Sequence, residues 1–290
     1  MLASVTFLLL AALSLKAAAD NVHSIPQSIT DGIMTYKEHE AYVDFLEVLL
    51  ANDQAAEAYS QSFTGHSFFD MFKVAAKCTA HIWQYPPHLE NGKGAKHGCR
   101  LDMLKNPCVI YSFGSGNNFY FEAELKRFSE CQIHIFDCYT NEVGAPSGVD
   151  YHKWCVDDHD IPEKNRYTIT SIMQKLGHSK IDFLKLSIEG SETFVIPQLA
   201  HLLAESRPLQ IAVKLNAWPD MLNDRRSANK VRETVELALA LDRMGYRLLS
   251  RDDQIAEPCC SELVFGLPDN LPGGQATFPY GYINTPRHAH

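Results

Sequence analysis

The feature that most constrains the fold of this chain is an alternation of short apolar runs and amphipathic segments that begins near residue 107. The apolar runs predict strands at 108–113, 132–136, 149–154, 181–186 and 209–215. Segments with helical spacing separate most of them, as at 169–176, where Thr168 is expected to cap the helix and Gly177 to end it. Strands that alternate with helices form a parallel sheet. The sequence therefore predicts an α/β fold, with an antiparallel pair at 246–249 and 261–265.

The first residues of the chain predict a secretory signal. Residues 7–15 are mostly apolar and Ala17–Ala19 follow them, so we expect residues 1–19 to be a signal peptide cleaved near Ala19. This apolar run is shorter than the roughly 20 residues that cross a bilayer. No later segment is long and apolar enough to do so, and no stable membrane span is expected after cleavage. We expect a protein that is secreted or held in the lumen of the secretory pathway.

The rest of the chain divides into two predicted parts. Residues 20–106 are expected to form an N-terminal helical extension, and residues 107–290 the α/β domain. The spacing of apolar residues in the extension predicts helices at 38–59 and 67–76. Prolines and glycines between residues 85 and 97 predict a loop.

The charge balance argues against one class of partner. The formal net charge is -9 and the pI is about 5.8. Non-specific affinity for nucleic acids comes from clustered lysines and arginines, and the basic cluster at 224–232 also contains acidic residues. We therefore expect no nucleic-acid partner.

A glycine turn joins the first strand of the α/β domain to the helix that follows. Gly114, Ser115 and Gly116 form it, and glycines at such a turn let the backbone approach a ligand closely. The third glycine of a dinucleotide-binding fingerprint is missing, because Phe119 follows Asn118. This disfavours an NAD-type enzyme. A tight turn without a ligand remains the alternative.

Asp137 ends the next strand, 23 residues after Gly114. In α/β folds an acidic residue at about this offset accepts hydrogen bonds from the ribose of a bound nucleotide. The glycine turn and Asp137 are therefore expected to converge on an adenosine pocket. The alternative is a carboxylate that only shapes a turn or caps a helix. Other nucleotide-binding α/β folds also fit these two features.

A third motif carries a more specific resemblance. The segment IDFLKLSIEGSE, residues 181–192, resembles the pattern IDxLKxDIEGxE of FkbM-type methyltransferases. It is still more similar to a group of methyltransferase-like proteins with secretory signals, as are CVIYSFGSGNNFYFE, CQIHIFD and IMQKLGH. The resemblance implies a class I methyltransferase fold with a Rossmann-like, seven-stranded, mostly parallel sheet. It also implies that S-adenosylmethionine binds across Gly114, Ser115, Gly116, Asp137 and Ser187.

Ser187 departs from the family pattern, which has Asp at this position. The position faces the amino-acid end of the cofactor in the fold that the resemblance implies, and a missing carboxylate would weaken binding there. Lys214 and Asn216 also stand where relatives are more acidic. Three functions thus remain open. The first is a methyltransferase of the secretory pathway, and the second is a catalytically inactive protein that keeps the methyltransferase fold for binding or interaction. The third is a different nucleotide-binding enzyme, such as an oxidoreductase or a nucleotide-sugar transferase, which only the Gly114 turn and Asp137 support.

Methyl transfer to a hydroxyl needs a general base. Glu189 and His152 are the candidates that the predicted topology brings to the crevice. Glu189 equally fits a charge that stabilises a helix N-terminus, and His152 a partly buried strand histidine. The methyl acceptor itself is not indicated by the sequence.

The cysteines support the secretory assignment. All eight lie after the predicted cleavage site, and an even number in an oxidising compartment favours disulfides. Their positions suggest the pairs Cys78–Cys99, Cys108–Cys131 and Cys138–Cys155, which leave Cys259 and Cys260, although about a hundred pairings are formally open. No C-x-x-C pair exists and no Cys/His set has the spacing of a zinc site, so no metal site is expected.

Overall fold

The computed structural model describes residues 36–61, 65–78, 82–87, 94–217, 226–253 and 259–271. The predicted signal peptide, residues 1–19, lies outside these residues. Within them, no helix combines the length and the apolar character that crossing a bilayer requires.

Eleven strands lie in the described residues. They are β1 (Ile82–Tyr85), β2 (Lys96–Cys99), β3 (Val109–Phe113), β4 (Gln132–Phe136), β5 (Asp150–His152), β6 (Cys155–Val156), β7 (Arg166–Tyr167), β8 (Phe183–Leu186), β9 (Gln210–Asn216), β10 (Arg247–Asp253) and β11 (Cys260–Gly266).

Seven of these strands form the central sheet, in the order β10-β11-β9-β8-β3-β4-β5. The pairs from β9 to β5 are parallel, whereas β11 runs antiparallel to both β9 and β10. This is the Rossmann-like, seven-stranded, mostly parallel sheet of class I methyltransferase type that the sequence predicts, with its antiparallel pair at the end of the chain. The carboxyl ends of β4, β3, β8 and β9 therefore lie side by side along one edge of the sheet.

Six α-helices accompany the strands in the described residues. They are α1 (Tyr36–Ala51), α2 (Asp53–Gln61), α3 (Tyr120–Phe128), α4 (Ile169–Leu176), α5 (Glu192–Gln198) and α6 (Arg226–Arg243). Short 3-10 helices lie at Gly65–Met71, Leu101–Met103, Pro162–Lys164, Leu199–His201, Ala204–Ser206 and Pro268–Asn270.

The ends of α4 confirm the predicted signals. The side chain of Thr168 accepts a hydrogen bond from the backbone N–H of Ser171 at 3.2 Å, which satisfies an N–H group of the first turn. Gly177 ends the helix in the left-handed conformation, with φ 72°.

The N-terminal helices pack on the α/β domain rather than apart from it. Leu46 of α1 and Phe69 belong to the same buried cluster as Leu237 of α6 and the central strands. His39 of α1 also lies 2.6 Å from Asp242 of α6, between Nε2 and Oδ1. The predicted extension thus completes the core on one side of the sheet.

Three predictions for the N-terminal part were wrong in detail. The single helix at 38–59 is two helices, because the side chain of Asn52 accepts a hydrogen bond from Ala55 N and caps a new one. The helix at 67–76 is a 3-10 helix followed by chain without regular secondary structure, in which Ala75 and Ala76 donate backbone hydrogen bonds to Leu248 O. The loop at 85–97 begins and ends in paired strands, since β1 and β2 form an antiparallel pair.

The helix predicted at 194–204 is also shorter. The α-helix runs from Glu192 to Gln198, and 3-10 turns follow it. Pro197 lies in its last turn and lacks the N–H group that helical hydrogen bonding needs there.

All eight cysteines are paired in the structure. The bonds are Cys78–Cys99, Cys108–Cys131, Cys138–Cys155 and Cys259–Cys260. The first closes the segment that leads from the N-terminal helices to β2, the second joins the starts of β3 and β4, and the third joins the chain after β4 to the start of β6. The suggested pairing is therefore confirmed.

Candidate functional site

The glycine turn follows β3 at the carboxyl edge of the sheet. Gly114 and Gly116 have φ angles of 74° and 60°, a region in which side chains are rarely found. A Cβ on Gly114 would lie 2.0 Å from the carbonyl oxygen of Ser187, whereas a Cβ on Gly116 would have no described atom within 4 Å. Gly114 is therefore required for packing against the chain after β8. Gly116 leaves open space above the turn.

Asp137 follows β4 and meets this turn. Its Oδ2 accepts a hydrogen bond from Gly116 N at 2.8 Å, and its Oδ1 accepts bonds from Tyr139 N and Thr140 N, both at 3.0 Å. Burial alone would raise the pKa of Asp137, but these backbone N–H groups stabilise the charged form more strongly and lower its pKa below the usual value. The turn and the carboxylate thus converge as the sequence predicts.

A cavity of about 700 Å³ extends along the carboxyl edge of the sheet above these groups. Six of the predicted site residues line it, and they are Gly114, Ser115, Gly116, Asp137, Ser187 and Glu189. Phe136, Trp154 and Val156 add an apolar wall on the side of Asp137. The cavity has the size of a cofactor or small-molecule site, which is typically about 300–1,000 Å³.

Ser187 and Glu189 lie in the turn that follows β8. Ser187 N donates to Phe113 O at 3.1 Å, so the turn is tied to the end of β3. Glu189 is exposed and has φ 53°, an uncommon conformation that is found preferentially at functional sites. Its side chain lines the cavity from the solvent side.

The alternative role for Glu189 was a charge that stabilises a helix N-terminus, and a neighbouring acid takes this role. Glu192, which sequence reasoning missed, accepts hydrogen bonds from Ile188 N at 2.8 Å and from Gly190 N at 2.7 Å. Burial raises the pKa of Glu192 although these bonds oppose the effect. Glu192 therefore holds the turn before α5, which leaves Glu189 facing the cavity.

His152 does not reach the cavity. It lies on β5, where its Nε2 is 3.0 Å from Nδ1 of His134 and its ring packs 4.8 Å from that of Trp154. Burial lowers the pKa of His152. Its placement fits the alternative of a partly buried strand histidine, because Trp154 and not His152 is the residue of this segment that lines the cavity.

A group of charged residues lies at the other end of the cavity, and of these sequence reasoning singled out only Lys214. Lys96, Lys185, Lys214 and Glu262 line it there. Lys185 is the lysine of the pattern IDxLKxDIEGxE and lies within an apolar strand, but neither feature indicates its role. Lys96 carries no signal at all, because it comes from a segment that was predicted to be a loop outside the α/β domain.

A buried network below the glycine turn includes Lys185. Its Nζ lies 3.3 Å from Gly114 O and 3.3 Å from Oε1 of Glu122. The hydroxyls of Ser112 and Ser115 donate to the same carboxylate oxygen. This network ties α3, β3 and β8 together beneath the cavity and fixes the turn between them.

Within the part of the chain that the structure describes, one cluster of two aspartates and a histidine has the spacing of a metal site. Asp157, Asp158 and His159 bring their ligand atoms close together at the end of the cavity near Asp137, but Asp158 and His159 are exposed. Asp157 already forms an ion pair with Arg166. The cluster is accounted for as part of a solvated loop.

Comparisons with known proteins identify related sequences. Residues 89–265 match a family described as "Methyltransferase domain". Two proteins named "Probable methyltransferase-like protein 24", from Homo sapiens and Rattus norvegicus, are both 26% identical to this chain. The alignments cover 52% and 56% of this chain and 44% and 48% of those proteins, so the chain spans about half the length of the curated relatives it matches.

A solved structure named ribosomal protein L11 methylase, from Lactobacillus delbrueckii subsp. bulgaricus, is 12% identical to this chain. That match covers 57% of this chain and 76% of the solved one, with a TM-score of 0.35.

Proposed function

This chain belongs to the methyltransferase domain family, and on that premise we propose that it binds S-adenosylmethionine at the glycine turn and transfers the methyl group to an acceptor. The observation that carries the proposal is the convergence of Gly116 and Asp137 at an open cavity. A turn that is open above Gly116 offers room for a nucleoside, and a neighbouring carboxylate offers acceptors for its hydroxyls.

The residues around Asp137 fit the adenosine half of this cofactor. Each carboxylate oxygen has about two lone-pair sites, and Oδ2 of Asp137 uses one for Gly116 N. The other is free to accept a hydrogen bond from a ribose hydroxyl. Phe136, Trp154 and Val156 form an apolar wall beside this carboxylate, which suits the adenine ring.

Methyl transfer requires little from the protein beyond the positioning of the cofactor and the acceptor. When bound, S-adenosylmethionine supplies a methyl group on a positively charged sulfur, and its transfer leaves S-adenosylhomocysteine. The protein accelerates the reaction mainly by holding the acceptor in line with the methyl group and by excluding water. A hydroxyl acceptor also has to lose a proton. We propose that the carboxylate of Glu189, which lines the cavity, accepts this proton as the general base.

A second candidate function is favoured by Ser187. This residue lines the cavity at the end of β8 and has no carboxylate, unlike the Asp of the family pattern. A protein of this kind would bind the cofactor or its product without turnover and would serve as a binding or interaction domain.

We also propose that the protein works in the secretory pathway. The signal-like residues 1–19 and the four disulfides support this proposal, because disulfides persist in oxidising compartments. Its test is the N-terminus and the destination of the full-length protein when expressed in cells. An uncleaved protein that stays in the cytosol would contradict the proposal.

Calorimetric titration with S-adenosylhomocysteine tests the cofactor site. The variant Gly116→Asn places a side chain in the open space above the turn, and asparagine tolerates a positive φ better than most residues. We expect the wild-type protein to bind and Gly116→Asn to bind about tenfold more weakly or worse. The matched control is Gly177→Asn, because Gly177 also has a positive φ and no described atom near its Cβ position, but lies at the end of α4 away from the cavity.

Two results would contradict the cofactor proposal. One is the absence of any heat with the wild-type protein, and the other is equal affinity in Gly116→Asn and the wild type. A protein that binds S-adenosylhomocysteine but forms none from S-adenosylmethionine with hydroxyl acceptors would favour the second candidate function.

A further inference from the structure

The strand order divides the cavity into two ends. Asp137 follows β4 on one side of the glycine turn, whereas Ser187 follows β8, and Asn216 ends β9, on the other side. Under the proposed function, on which this inference rests, the adenosine half of the cofactor occupies the end at Asp137. The other end is then left for the amino-acid part of the cofactor, the methyl group and the acceptor.

Three ammonium groups converge on this second end from different elements. Lys96 comes from β2, Lys185 from β8 and Lys214 from β9, and all three line the cavity. Lys96 is 5% exposed and Lys185 is 3% exposed. Lys96 forms an ion pair with Glu262 of β11, which stands opposite Lys214 in the register of the two strands.

The surroundings of Lys96 are unfavourable to its own charge. Burial lowers its pKa below the usual value, and the charges of Lys185 and Lys214 lower it further, although Glu262 opposes both effects. Buried charges are stabilised by opposite charges that lie close to them. A negatively charged group that entered this end of the cavity would be attracted by the three ammonium groups, although Glu262 and Glu122 would repel it.

The same end also offers a hydrogen-bond acceptor. The side-chain oxygen Oδ1 of Asn216 is buried and has no hydrogen-bond partner among the described residues. A buried acceptor without a partner costs free energy, so a hydroxyl or amide donor is expected to meet it. Asn216 lines the cavity, and a ligand hydroxyl can supply that donor.

We propose that the methyl acceptor carries a carboxylate or phosphate beside its hydroxyl groups, as a sugar acid or a sugar phosphate does. Lys96 and Lys214 bind its anionic group, and one of its hydroxyls donates to Oδ1 of Asn216. Lys185 contributes positive charge from below while it holds the glycine turn.

The experiment uses the full-length protein saturated with S-adenosylhomocysteine. Three probes are titrated into it in a calorimeter at low ionic strength: glucuronate, glucose 6-phosphate and uncharged glucose. We expect at least one anionic sugar to bind and glucose not to bind. We expect Lys214→Met to weaken the binding about tenfold, whereas Lys105→Met leaves it unchanged, because Lys105 is exposed and outside the cavity lining.

A second variant removes the charge of Lys96 and is designed so that the protein still folds. Replacing Lys96 by Met alone would leave Glu262 as a buried carboxylate without its ion-pair partner. Lys96→Met is therefore combined with Glu262→Gln, and circular dichroism checks the fold. We expect this double variant to bind the anionic sugar about tenfold more weakly as well.

The cofactor has a carboxylate of its own, and the titrations separate the two sources of negative charge. If S-adenosylhomocysteine displaces the anionic sugars, or if Lys214→Met weakens S-adenosylhomocysteine instead of the sugar, the lysines bind the cofactor and the proposal is wrong. Equal binding of glucose and glucuronate also overturns it. If the anionic sugars bind through Lys214 while S-adenosylhomocysteine does not bind, the cofactor proposal fails and recognition of an anion at the lysines stands.

Discussion

The backbone N–H of Gly116 donates a hydrogen bond to Oδ2 of Asp137 at 2.8 Å, which ties the turn after β3 to the carboxylate after β4. The same carboxylate accepts the N–H groups of Tyr139 and Thr140 through its other oxygen. Asp137 therefore organises two backbone segments before any ligand arrives. The residue proposed to orient the ribose also maintains the shape of the pocket.

The first prediction concerns acid stability. In the folded protein the pKa of Asp137 is lowered, so the stabilisation by its charge is present above the unfolded-state pKa of about 4 and is lost as the pH falls through the folded-state value. We expect Asp137→Asn to lower the free energy of unfolding by about 1–3 kcal/mol near pH 7. The deficit should shrink as the pH falls below about 4.

Urea unfolding at several pH values measures this effect. Asp44→Asn serves as the control, because Asp44 is an exposed aspartate of α1. A deficit of Asp137→Asn that stays constant from about pH 7 down to about pH 3 would show that the charge of Asp137 is unimportant for stability.

The second prediction separates the two glycines of the turn. Gly114→Ala introduces a Cβ that would lie 2.0 Å from Ser187 O, so the backbone has to move, whereas Gly116→Ala meets only open space. Both substitutions carry the cost of a positive φ, about 1–2 kcal/mol. We expect Gly116→Ala to cost about that much and Gly114→Ala about 3 kcal/mol or more. Guanidinium unfolding curves measure both, and equal losses would contradict the packing role of Gly114.

The central sheet was predictable because its strands are continuous apolar runs that end at polar or glycine residues. The segments 132–136 and 169–176 show this most clearly, since the strand and the helix have the predicted bounds. The strand pair β1 and β2 was not predictable, because Lys96 and His97 give its second strand no alternation of apolar and polar residues. Tertiary contacts hold it instead: the side chain of Gln210 bonds both backbone groups of Cys99 at 2.7 Å.

The candidate site was predictable where it depends on strand ends. Gly114, Gly116 and Asp137 follow adjacent parallel strands, so their convergence follows from topology alone. Lys96 could not be placed, because it reaches the cavity through packing of β2 against β9 and β11, and β2 is not a strand of the central sheet. His152 was misplaced for a related reason. Alternation along β5 determines whether a side chain faces the cavity, and strand boundaries from sequence are uncertain by a residue or two.

The third prediction concerns a group of histidines around Tyr111. Burial and the neighbouring His178 and His152 together lower the pKa of His134 to about 4, although Asp150 opposes them. The folded state therefore binds fewer protons than the unfolded state between about pH 6.5 and pH 4. The stabilisation that comes from neutral His134 is fully present above about pH 6.5. As the pH decreases below that value, the free energy of unfolding falls by up to about 1.4 kcal/mol per pH unit.

The variant His134→Phe tests this assignment by removing the titration while it keeps a ring in the cluster. We expect its free energy of unfolding to depend less steeply on pH between about 6.5 and 4 than that of the wild type. His201→Phe is the matched control, because His201 is exposed in a 3-10 helix. Identical slopes for His134→Phe and the wild type would show that His134 does not cause the acid sensitivity.

The last prediction connects two disulfides to the two ends of the cavity. Cys99 ends β2, the strand that carries Lys96, and its bond to Cys78 spans 21 residues, whereas Cys138 follows Asp137 and its bond to Cys155 spans 17. Replacing either pair by alanines should cost about 3 kcal/mol, because the loops are similar in length. Loss of Cys78–Cys99 frees the strand with Lys96, so we expect weaker glucuronate binding and little change for S-adenosylhomocysteine. Loss of Cys138–Cys155 loosens the segment after Asp137, so we expect weaker binding of S-adenosylhomocysteine and little change in the binding of glucuronate. Thermal unfolding measures the loss of stability in each variant, and calorimetry measures the affinity of each variant for each of the two ligands. If each variant weakens the binding of both ligands equally, the cavity does not have two separable ends.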